Sequence, residues 1–327
     1  MISRRRMVLG SACAAQAVSP SPGSETRYDS IRWIEERDDP SVTLDTGELV
    51  VRVIDNTGLR STPGKHPMEH AFTHHLGYHG IRALWRKDER RNIVMPFVSW
   101  LNLQNLSVEG LQLDPVDDRA LFGVGRGWPV KMARQGESVQ LTIPQMPLSG
   151  VEYALRIGPL HGDSLDFDVR FTLHKKKRSR AAFRASWPCY MSTYDEVELY
   201  IPTANPERPD WQRIGEKEPV VIGDPVNYSY SQRTFEAPPA AIPLAYGRIG
   251  SRVLAIMVSR PEVAFFLVNA GGHLSFLPVQ NPAWDLSFQL PDYEPDRPFG
   301  FRGRIVYKAW EGPEDILARY RQFKEHS

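Results

Sequence analysis

The sequence predicts an all-β protein, built as one large antiparallel double-sheet sandwich with a short helix at its C-terminal end. Three observations support this fold class. From Ser30 onward the dominant hydrophobic period is two residues, which is the period of a half-buried strand. The chain contains 27 prolines, which punctuate loops and interrupt long helices. Only one segment, close to the C-terminus, has apolar residues at helical spacing.

The clearest strand is "SLDFDVRFTLH", residues 164–174. Apolar and polar residues alternate strictly along it, so one face is expected to be buried and the other solvated. Five further segments read as strands, with Gly, Pro, Asp and Asn between them. They are "GELVVRVID", "ESVQLTIP", "GVEYALRIG", "RVLAIMVS" and "GFRGRIVYKAW". More than a dozen strands are therefore expected, without an internal repeat of propeller or solenoid length.

The predicted helix begins at Gly312-Pro313, where a proline fits the first helical position and acidic residues follow in the first turn. Its apolar residues recur at helical spacing, so one side should pack on an outer sheet surface. These apolar residues are Ile316, Leu317, Tyr320 and Phe323. A segment rich in Pro, Asp and Glu, residues 200–230, instead predicts a long excursion that forms a lid or the rim of a cleft.

The N-terminus predicts export. Residues 1–17 resemble a twin-arginine signal peptide, with Arg4 to Arg6 as the basic region and Ala15-Gln16-Ala17 as the cleavage pattern. Residues 18–29 then form a linker, and residues 30–327 are expected to be a single sandwich domain. Cleavage near Ala17 would place the mature protein in the periplasm or outside the cell. No apolar run has the length of a membrane span.

The charge and cysteine content of the chain limit the classes of binding partner and reaction that are expected. The formal net charge is +1 over 327 residues, which argues against a general nucleic-acid binder. One basic run, "HKKKRSR" at residues 174–180, is either an anion site or a solvated strand end. If the leader is removed, Cys189 is the one cysteine left, and its apolar surroundings in "SWPCYMS" predict a buried, unreactive thiol.

Five of the nine histidines lie within residues 66–79, the start of "HPMEHAFTHHLGYHGIRALW". Spacings of four suit either a metal pair or acid–base groups on one face. Glu69 precedes a histidine rather than following one, so this is not the HExxH motif of zinc proteases. Gly77 and Gly80 favour a loop that enters a strand at residues 81–85. The acid–base candidates are His74, His75 and His79; the metal alternative uses His70, His75 and His79 with a divalent ion.

Alternation predicts that His75 and His79 point to one side and His74 to the other, provided that the glycines leave the strand pleat intact.

Two further segments could contribute to a site. In "VNAGGHLSFLPVQNPAWDLSFQL", a Trp beside an Asp at a strand start is typical of sugar binding, although a capped turn with a buried Trp looks the same. In "SWPCYMSTYDEVELYIPT", Tyr194 leads into acidic residues that suit either acid–base work or a charged edge strand. The predicted substrate-binding residues are Arg82, Trp85, Tyr194, Asn269, His273, Trp284 and Asp285.

Taken together, "THHLGYHGIRALW", "SWPCYMSTYDEVELYIP" and "NPAWDLSFQL" with "GFRGRIVYKAW" resemble the galactose mutarotase-like β-supersandwich group. The resemblance covers roughly residues 30–320 and is strongest to the exported branch found in sugar-degrading bacteria. It implies a carbohydrate ligand, histidine acids, and a late Glu as base on the concave face of one sheet. Glu262 and Glu294 are the candidates for that base, with Asp285 as a substitute.

These observations favour a sugar lyase or epimerase that moves protons with histidine, because imidazole titrates near neutral pH. Arg82 would hold a carboxylate or a developing oxyanion. Two alternatives stay open on the sequence alone. One is a non-catalytic carbohydrate-binding module, and the other is a metalloprotein whose histidines ligate a divalent ion. Turnover, sugar affinity and metal content separate the three.

Overall fold

A computed structural model describes residues 40–326, except 46, 56–78, 95–98, 104, 109–128, 176–182, 188, 192–198, 204, 206, 215–241, 261–262, 270–281 and 291. This part of the chain forms sixteen strands and one helix, which confirms the predicted all-β class. The strands are β1 Ser41–Asp45, β2 Leu49–Ile54, β3 Gly80–Arg86, β4 Asn105–Val108, β5 Lys131–Gln135, β6 Ser138–Ile143, β7 Val151–His161, β8 Ser164–Leu173, β9 Phe183–Trp187, β10 Leu199–Thr203, β11 Asp210–Ile214, β12 Leu244–Ile249, β13 Arg252–Val258, β14 Val263–Asn269, β15 Pro282–Leu290 and β16 Phe299–Ala309, and the helix is α1 Pro313–Glu325.

Nine strands form the larger sheet, in the order β11-β10-β12-β13-β16-β8-β7-β6-β5, and every neighbouring pair is antiparallel. Its interior strand β8 has the predicted alternation, since Phe167 and Phe171 are buried in the core while Arg170 on the other face is exposed. The pairing of β8 with β16 joins segments more than a hundred residues apart, which local patterns do not reveal.

The second layer consists of two smaller sheets, β1-β2-β3 and β14-β15-β9-β4. Residues 99–103 lie between them and bind to β3. The amide of Ile81 donates to the Trp100 carbonyl at 2.9 Å, and the amide of Trp100 donates back at 2.8 Å. One apolar core fills the space between this layer and the nine-stranded sheet, with side chains from all three sheets. The structure is therefore the predicted double-layered sandwich.

Helix α1 covers part of the outer face of the nine-stranded sheet, as the sequence predicted. Its four buried residues are the four that define the predicted helical stripe: Ile316, Leu317, Tyr320 and Phe323. They pack with the outward residues of β12, β13 and β16 in a second apolar cluster. No helix in the described ranges is long and apolar enough to cross a membrane.

The prediction of a long excursion over residues 200–230 is wrong for its first half. Residues 199–203 and 210–214 are β10 and β11, which extend the nine-stranded sheet at one end. Leu199 and Ile201 are fully buried, so a short apolar alternation supports β10 despite the prolines and charges around it. Residues 215–230 lie outside the described part of the chain.

A cluster of charged residues at the turn after β3 links the three-stranded sheet to the nine-stranded sheet. Arg252 on β13 bonds to Glu89 at 2.5 Å and to Asp88 at 3.0 Å. The Tyr307 hydroxyl on β16 donates to the same Glu89 carboxylate at 3.3 Å, and burial raises the pKa of Tyr307 above its usual range. Arg86 adds a bond to the Tyr307 carbonyl. This cluster fixes how β3 lies against the larger sheet.

His174, at the end of β8, holds the connection between β15 and β16. Its Nδ1 lies 2.9 Å from Asp296 and its Nε2 lies 3.2 Å from Glu152. Hydrogen bonds to Glu152 and Asp296 raise the pKa of His174 above 6.5. The charged imidazole is thus favoured in the folded state, so its stabilisation is complete below about pH 6.5 and is lost as the pH rises through the raised pKa.

We expect this stabilisation to appear as a pH-dependent difference in melting temperature between the wild type and His174→Gln. The wild type should melt higher at low pH, and the difference should shrink toward alkaline pH. Melting curves across the neutral range measure it. His326→Gln is the control, because the His326 ring bonds to the Gln322 carbonyl rather than to a carboxylate, so this variant should not reproduce the His174 difference. A His174 difference that is flat, or grows with pH, would contradict the pairing.

Candidate functional site

The structure describes the side chains of five predicted site residues: His79, Arg82, Trp85, Trp284 and Asp285. For Asn269 it gives the backbone alone, at the end of β14 opposite Pro282. The remaining predicted site residues lie outside the described residues: His70, His74, His75, Tyr194 and His273, together with the candidate base Glu262. The prediction that His74 and His75 point to opposite sides therefore stays a prediction.

His79 lies immediately before β3 and is fully buried. Its ring packs edge-on against Tyr153 of the nine-stranded sheet, with 6.0 Å between centroids, so it faces the interior of the sandwich. The amide of Leu103 donates to His79 Nε2 at 3.4 Å. In the neutral tautomer that accepts this bond, Nδ1 carries the proton and neither nitrogen has a lone pair for a metal. This contact therefore disfavours the predicted metal role of His79.

Arg82 is the extra residue of a β-bulge. Ala83 pairs with Arg52 and Ile81 pairs with Val53, which leaves Arg82 without an opposite residue on β2. Its side chain is only 1% exposed. The resemblance implied that the histidine acids lie on the concave face of a sheet, whereas the structure encloses both His79 and Arg82.

Trp85 is not brought together with His79. It is half-buried near the far end of β3, opposite Val50. Six residue-to-residue steps separate it from His79, which in an extended strand correspond to about 20 Å.

Residues 99–103 connect the histidine segment to the two other candidate segments. The Trp100 indole donates to the Tyr190 carbonyl at 2.5 Å, while Leu103 binds His79. Leu101 has a φ of 58°, a left-handed conformation that is rare for a branched, buried side chain. The backbone amide of Leu101 also bonds to the Cys189 thiol. The segments that hold His79, Cys189 and Asp285 therefore meet here.

The Cys189 thiol is fully buried, and burial raises its pKa well above the usual range. It stays protonated at neutral pH and is not a nucleophile, as predicted. Its backbone amide donates to Asp285 Oδ1 at 3.3 Å, and its carbonyl accepts from the amide of Trp284 at 3.1 Å.

Trp284 and Asp285 lie on opposite faces of β15, so they do not form the predicted ring-and-carboxylate pair. Trp284 is part of the main apolar core and is 1% exposed. Asp285 points to the outer face of the four-stranded sheet and is 4% exposed. Neighbouring strand residues alternate between faces, which is why the pair separates.

The outer face of the four-stranded sheet carries a polar floor that the sequence-based prediction missed apart from Asp285. The alternate residues of β9 and β15 are polar, while those between them are core residues. Ser186 pairs with Ser287, and Arg184 pairs with Gln289, across the two strands. The signal was present in "FRASW" and "WDLSFQL", where every second residue is polar. The polar floor consists of Arg184, Ser186, Asp285, Ser287 and Gln289.

Ser287 is the most informative residue of the polar floor. It is 1% exposed, and its hydroxyl has no hydrogen-bond partner within the described ranges. A buried hydroxyl without a partner costs about 1–3 kcal/mol. Such groups are rare in native structures and point to an additional partner, such as water or a ligand.

Glu294, one predicted base, lies far into solvent. Its carboxylate pairs with Arg297 at 2.8 Å, and both side chains are more than 70% exposed. A base must reach a proton on an enclosed substrate, and this position offers no enclosure. Among the described residues, no group of three or more His, Cys, Asp or Glu side chains is placed to hold a metal ion.

No protein-family model matches the sequence, and no curated protein sequence matches it either. Solved structures do match. A protein of Escherichia coli K12 described as a candidate aldose 1-epimerase superposes with a TM-score of 0.50 at 13% identity, over 83% of this chain and 99% of that chain. The alpha-N-acetylgalactosaminidase of Bifidobacterium bifidum gives 0.49 at 12% identity, over 87% and 39%. A galactose mutarotase related enzyme of Lactobacillus acidophilus gives 0.47 at 9% identity, over 83% and 98%.

The superposition on the Escherichia coli protein covers most of this chain and nearly all of that chain. The fold is therefore the galactose mutarotase-like β-sandwich that the sequence resemblance predicted.

Proposed function

We propose that this protein is an exported carbohydrate-active protein that binds a sugar over the polar floor of the four-stranded sheet. One observation carries the proposal. Ser287 presents a buried hydroxyl without a partner in the described structure, beside Asp285 on a sheet face lined with polar groups. A sugar hydroxyl is a donor and an acceptor at once, so it can bond to both side chains. The galactose mutarotase-like fold agrees with this ligand class.

The polar floor has the chemistry to orient a sugar ring. The Asp285 carboxylate accepts hydrogen bonds from hydroxyl groups, and Arg184 donates to a ring oxygen or a carboxylate. The main-chain bond from Cys189 fixes Asp285 in place. Binding of this kind holds a sugar carbon in position for proton transfer.

We further propose a lyase or epimerase reaction in which histidine moves the proton. The supporting feature is the histidine segment, whose described end at His79 joins residues 99–103 beside Cys189 and Asp285. His74 and His75 belong to the same segment of sequence. Elimination starts by removing a proton from a sugar carbon, whereas anomer exchange takes the proton of the C1 hydroxyl and gives one to the ring oxygen as the ring opens. Both transfers suit an imidazole near neutral pH.

The reaction class is tested with two assays on the purified full-length protein. Anomer exchange in free aldoses is followed by NMR, and elimination from uronate polymers is followed by the ultraviolet absorbance of the unsaturated product. Activity in either assay supports the enzyme. Sugar binding without turnover moves the protein to the binding-module class, and neither binding nor turnover on the panel overturns the proposal.

The role of Ser287 is tested with Ser287→Ala. We expect this variant to be more stable than the wild type by about 1 kcal/mol, since a buried hydroxyl without a partner is removed. Its sugar affinity should fall about tenfold, because one hydrogen bond to the ligand is lost. Chemical denaturation and titration calorimetry measure the two quantities.

Ser99→Ala is the matched control for that experiment. Ser99 is also 1% exposed, and its hydroxyl likewise has no partner in the described ranges, but it does not belong to the polar floor. The control should gain stability and keep its affinity. Unchanged affinity in Ser287→Ala would remove Ser287 from the ligand site.

Export is proposed from the twin-arginine pattern and is tested separately. Mass spectrometry of protein from the periplasmic fraction should show a chain that starts near Val18. Replacing Arg4 and Arg5 by lysine should keep the protein in the cytoplasm, and export of that variant would contradict the twin-arginine route.

A further inference from the structure

The outer face of the nine-stranded sheet is divided into an apolar half and a polar half. Helix α1 covers the apolar half, over β12, β13 and β16. Its edge is marked by Arg304, which lies 5.5 Å from the centre of the Phe323 ring and pairs with Asp166 at 2.6 Å. Beyond this edge the outward residues of β16, β8, β7 and β6 are polar or small. That half of the face is open to solvent.

Three exposed arginines lie there around a single carboxylate, that of Asp168. Arg156 on β7 and Arg302 on β16 both lie opposite Asp168 in the strand register, one from each side. Neighbouring strands are about 4.8 Å apart, so these two arginine positions are about 10 Å from each other. Arg170 follows two residues after Asp168 on the same face. We call Arg156, Arg170 and Arg302 the arginine patch.

The arginine patch has more positive charge than its carboxylate neutralises. Arg170 uses Nε and Nη2 to bind Asp168, at 3.1 and 2.7 Å, and this pairing raises the pKa of Arg170. Arg156 is oriented by a bond from its Nε to the Ser138 hydroxyl at 3.0 Å. In the described structure the terminal nitrogens of Arg156 and the guanidinium of Arg302 have no bonding partner. Two guanidinium groups are thus left to bind an outside anion.

The side chains around the arginine patch indicate which class of anionic ligand it binds. Polar side chains that suit sugar hydroxyls lie half-buried on the same face: Gln140, Thr142 and Thr172. No aromatic ring lies among the described outward residues of β6, β7 and β8, so base stacking has no platform. Asp166 and Asp168 would repel a continuous row of phosphates. Guanidinium groups bind carboxylates in a paired, planar geometry, and widely spaced carboxylates would fit between the acidic residues.

We propose that the arginine patch is a second binding surface, which holds an acidic polysaccharide whose sugar units carry carboxylates. It lies on the outer face of the nine-stranded sheet, whereas the polar floor belongs to the four-stranded sheet in the other layer. The surface is independent of any turnover at the polar floor, and its role is to hold the protein on a polymer.

The test measures binding of the full chain to polygalacturonate by affinity electrophoresis at low and moderate salt. The double variant Arg156→Gln/Arg302→Gln should bind at least about tenfold more weakly, and added salt should weaken the wild type, since exposed charges are screened. Any retention by dextran, a neutral polymer, should be the same for the wild type and the double variant. These measurements do not use an enzyme assay, so failure here is distinct from failure of the proposed function.

The control variant is Arg134→Gln/Arg208→Gln, which removes the same charge elsewhere. Arg134 is opposite Val139 and so belongs to the other face of the sheet, and Arg208 precedes β11 at the far edge. It should bind like the wild type. Equally weakened polymer binding by both variants would show that net charge alone attracts the polymer. That result would overturn the proposal that the arginine patch is the binding surface. Equal binding of polyglutamate or single-stranded DNA would overturn the polysaccharide assignment.

Discussion

Replacing Gly80 by alanine is expected to destabilise the protein by about 3–5 kcal/mol, a large part of the total stability of a domain. Two effects add. A β-carbon at this position would lie 2.2 Å from the Trp100 carbonyl oxygen, which is a backbone atom that cannot rotate away. The φ of Gly80 is also +110°, a conformation that residues with a side chain rarely adopt. Denaturant unfolding measures the loss.

Gly47→Ala separates the two effects. Gly47 has a φ of +93°, yet beyond its chain neighbours no atom of the described residues lies within 4 Å of the β-carbon that alanine would add. This variant therefore has the backbone cost without the clash and should lose about 1 kcal/mol. The difference between the two variants estimates how tightly β3 is held against residues 99–103. If both variants lose the same amount, the close approach at Trp100 does not contribute.

Much of the fold could be predicted from the sequence because strands and helices have local periods. The alternation around Phe167 placed β8, and the helical spacing around Tyr320 placed α1. The pairing order could not be predicted in this way, since β8 binds β16 across a long stretch of chain. Strands β10 and β11 were missed because they are short and lie among prolines and charges, whose composition resembles that of a loop.

The candidate site was predictable only in part, for two physical reasons. The bulge at Arg82 and the left-handed φ of Gly80 break the alternation that was assumed for the histidine segment, and neither is visible in a hydrophobic pattern. Trp284 and Asp285 are different, because their opposite faces follow from alternation alone. The same rule would have revealed Ser186 and Ser287. Burial of these polar side chains depends on what lies over the sheet, which the pattern of a single strand does not contain.

His79 tests which histidine moves the proton, because its ring faces the interior of the sandwich whereas the proposed sugar site is on the outer face of the four-stranded sheet. If its imidazole moves a proton in the reaction, His79→Gln should lower kcat by about 10²–10⁴. The glutamine carries an amide oxygen that can still accept the bond from the Leu103 amide, so stability should change little. Turnover and denaturant unfolding are measured on the same preparations.

His79→Ala completes the comparison, since it removes the acceptor as well as the imidazole. It leaves the Leu103 amide without its partner and opens a cavity beside Tyr153, which together should cost about 2–5 kcal/mol. An acid–base role predicts that both variants lose turnover and that only the alanine variant loses stability. A structural role predicts that His79→Gln keeps its rate and its pH profile. His79→Ala would then lose both turnover and stability. That second outcome would assign His79 to the support of residues 99–103 and would leave proton transfer to His74 or His75.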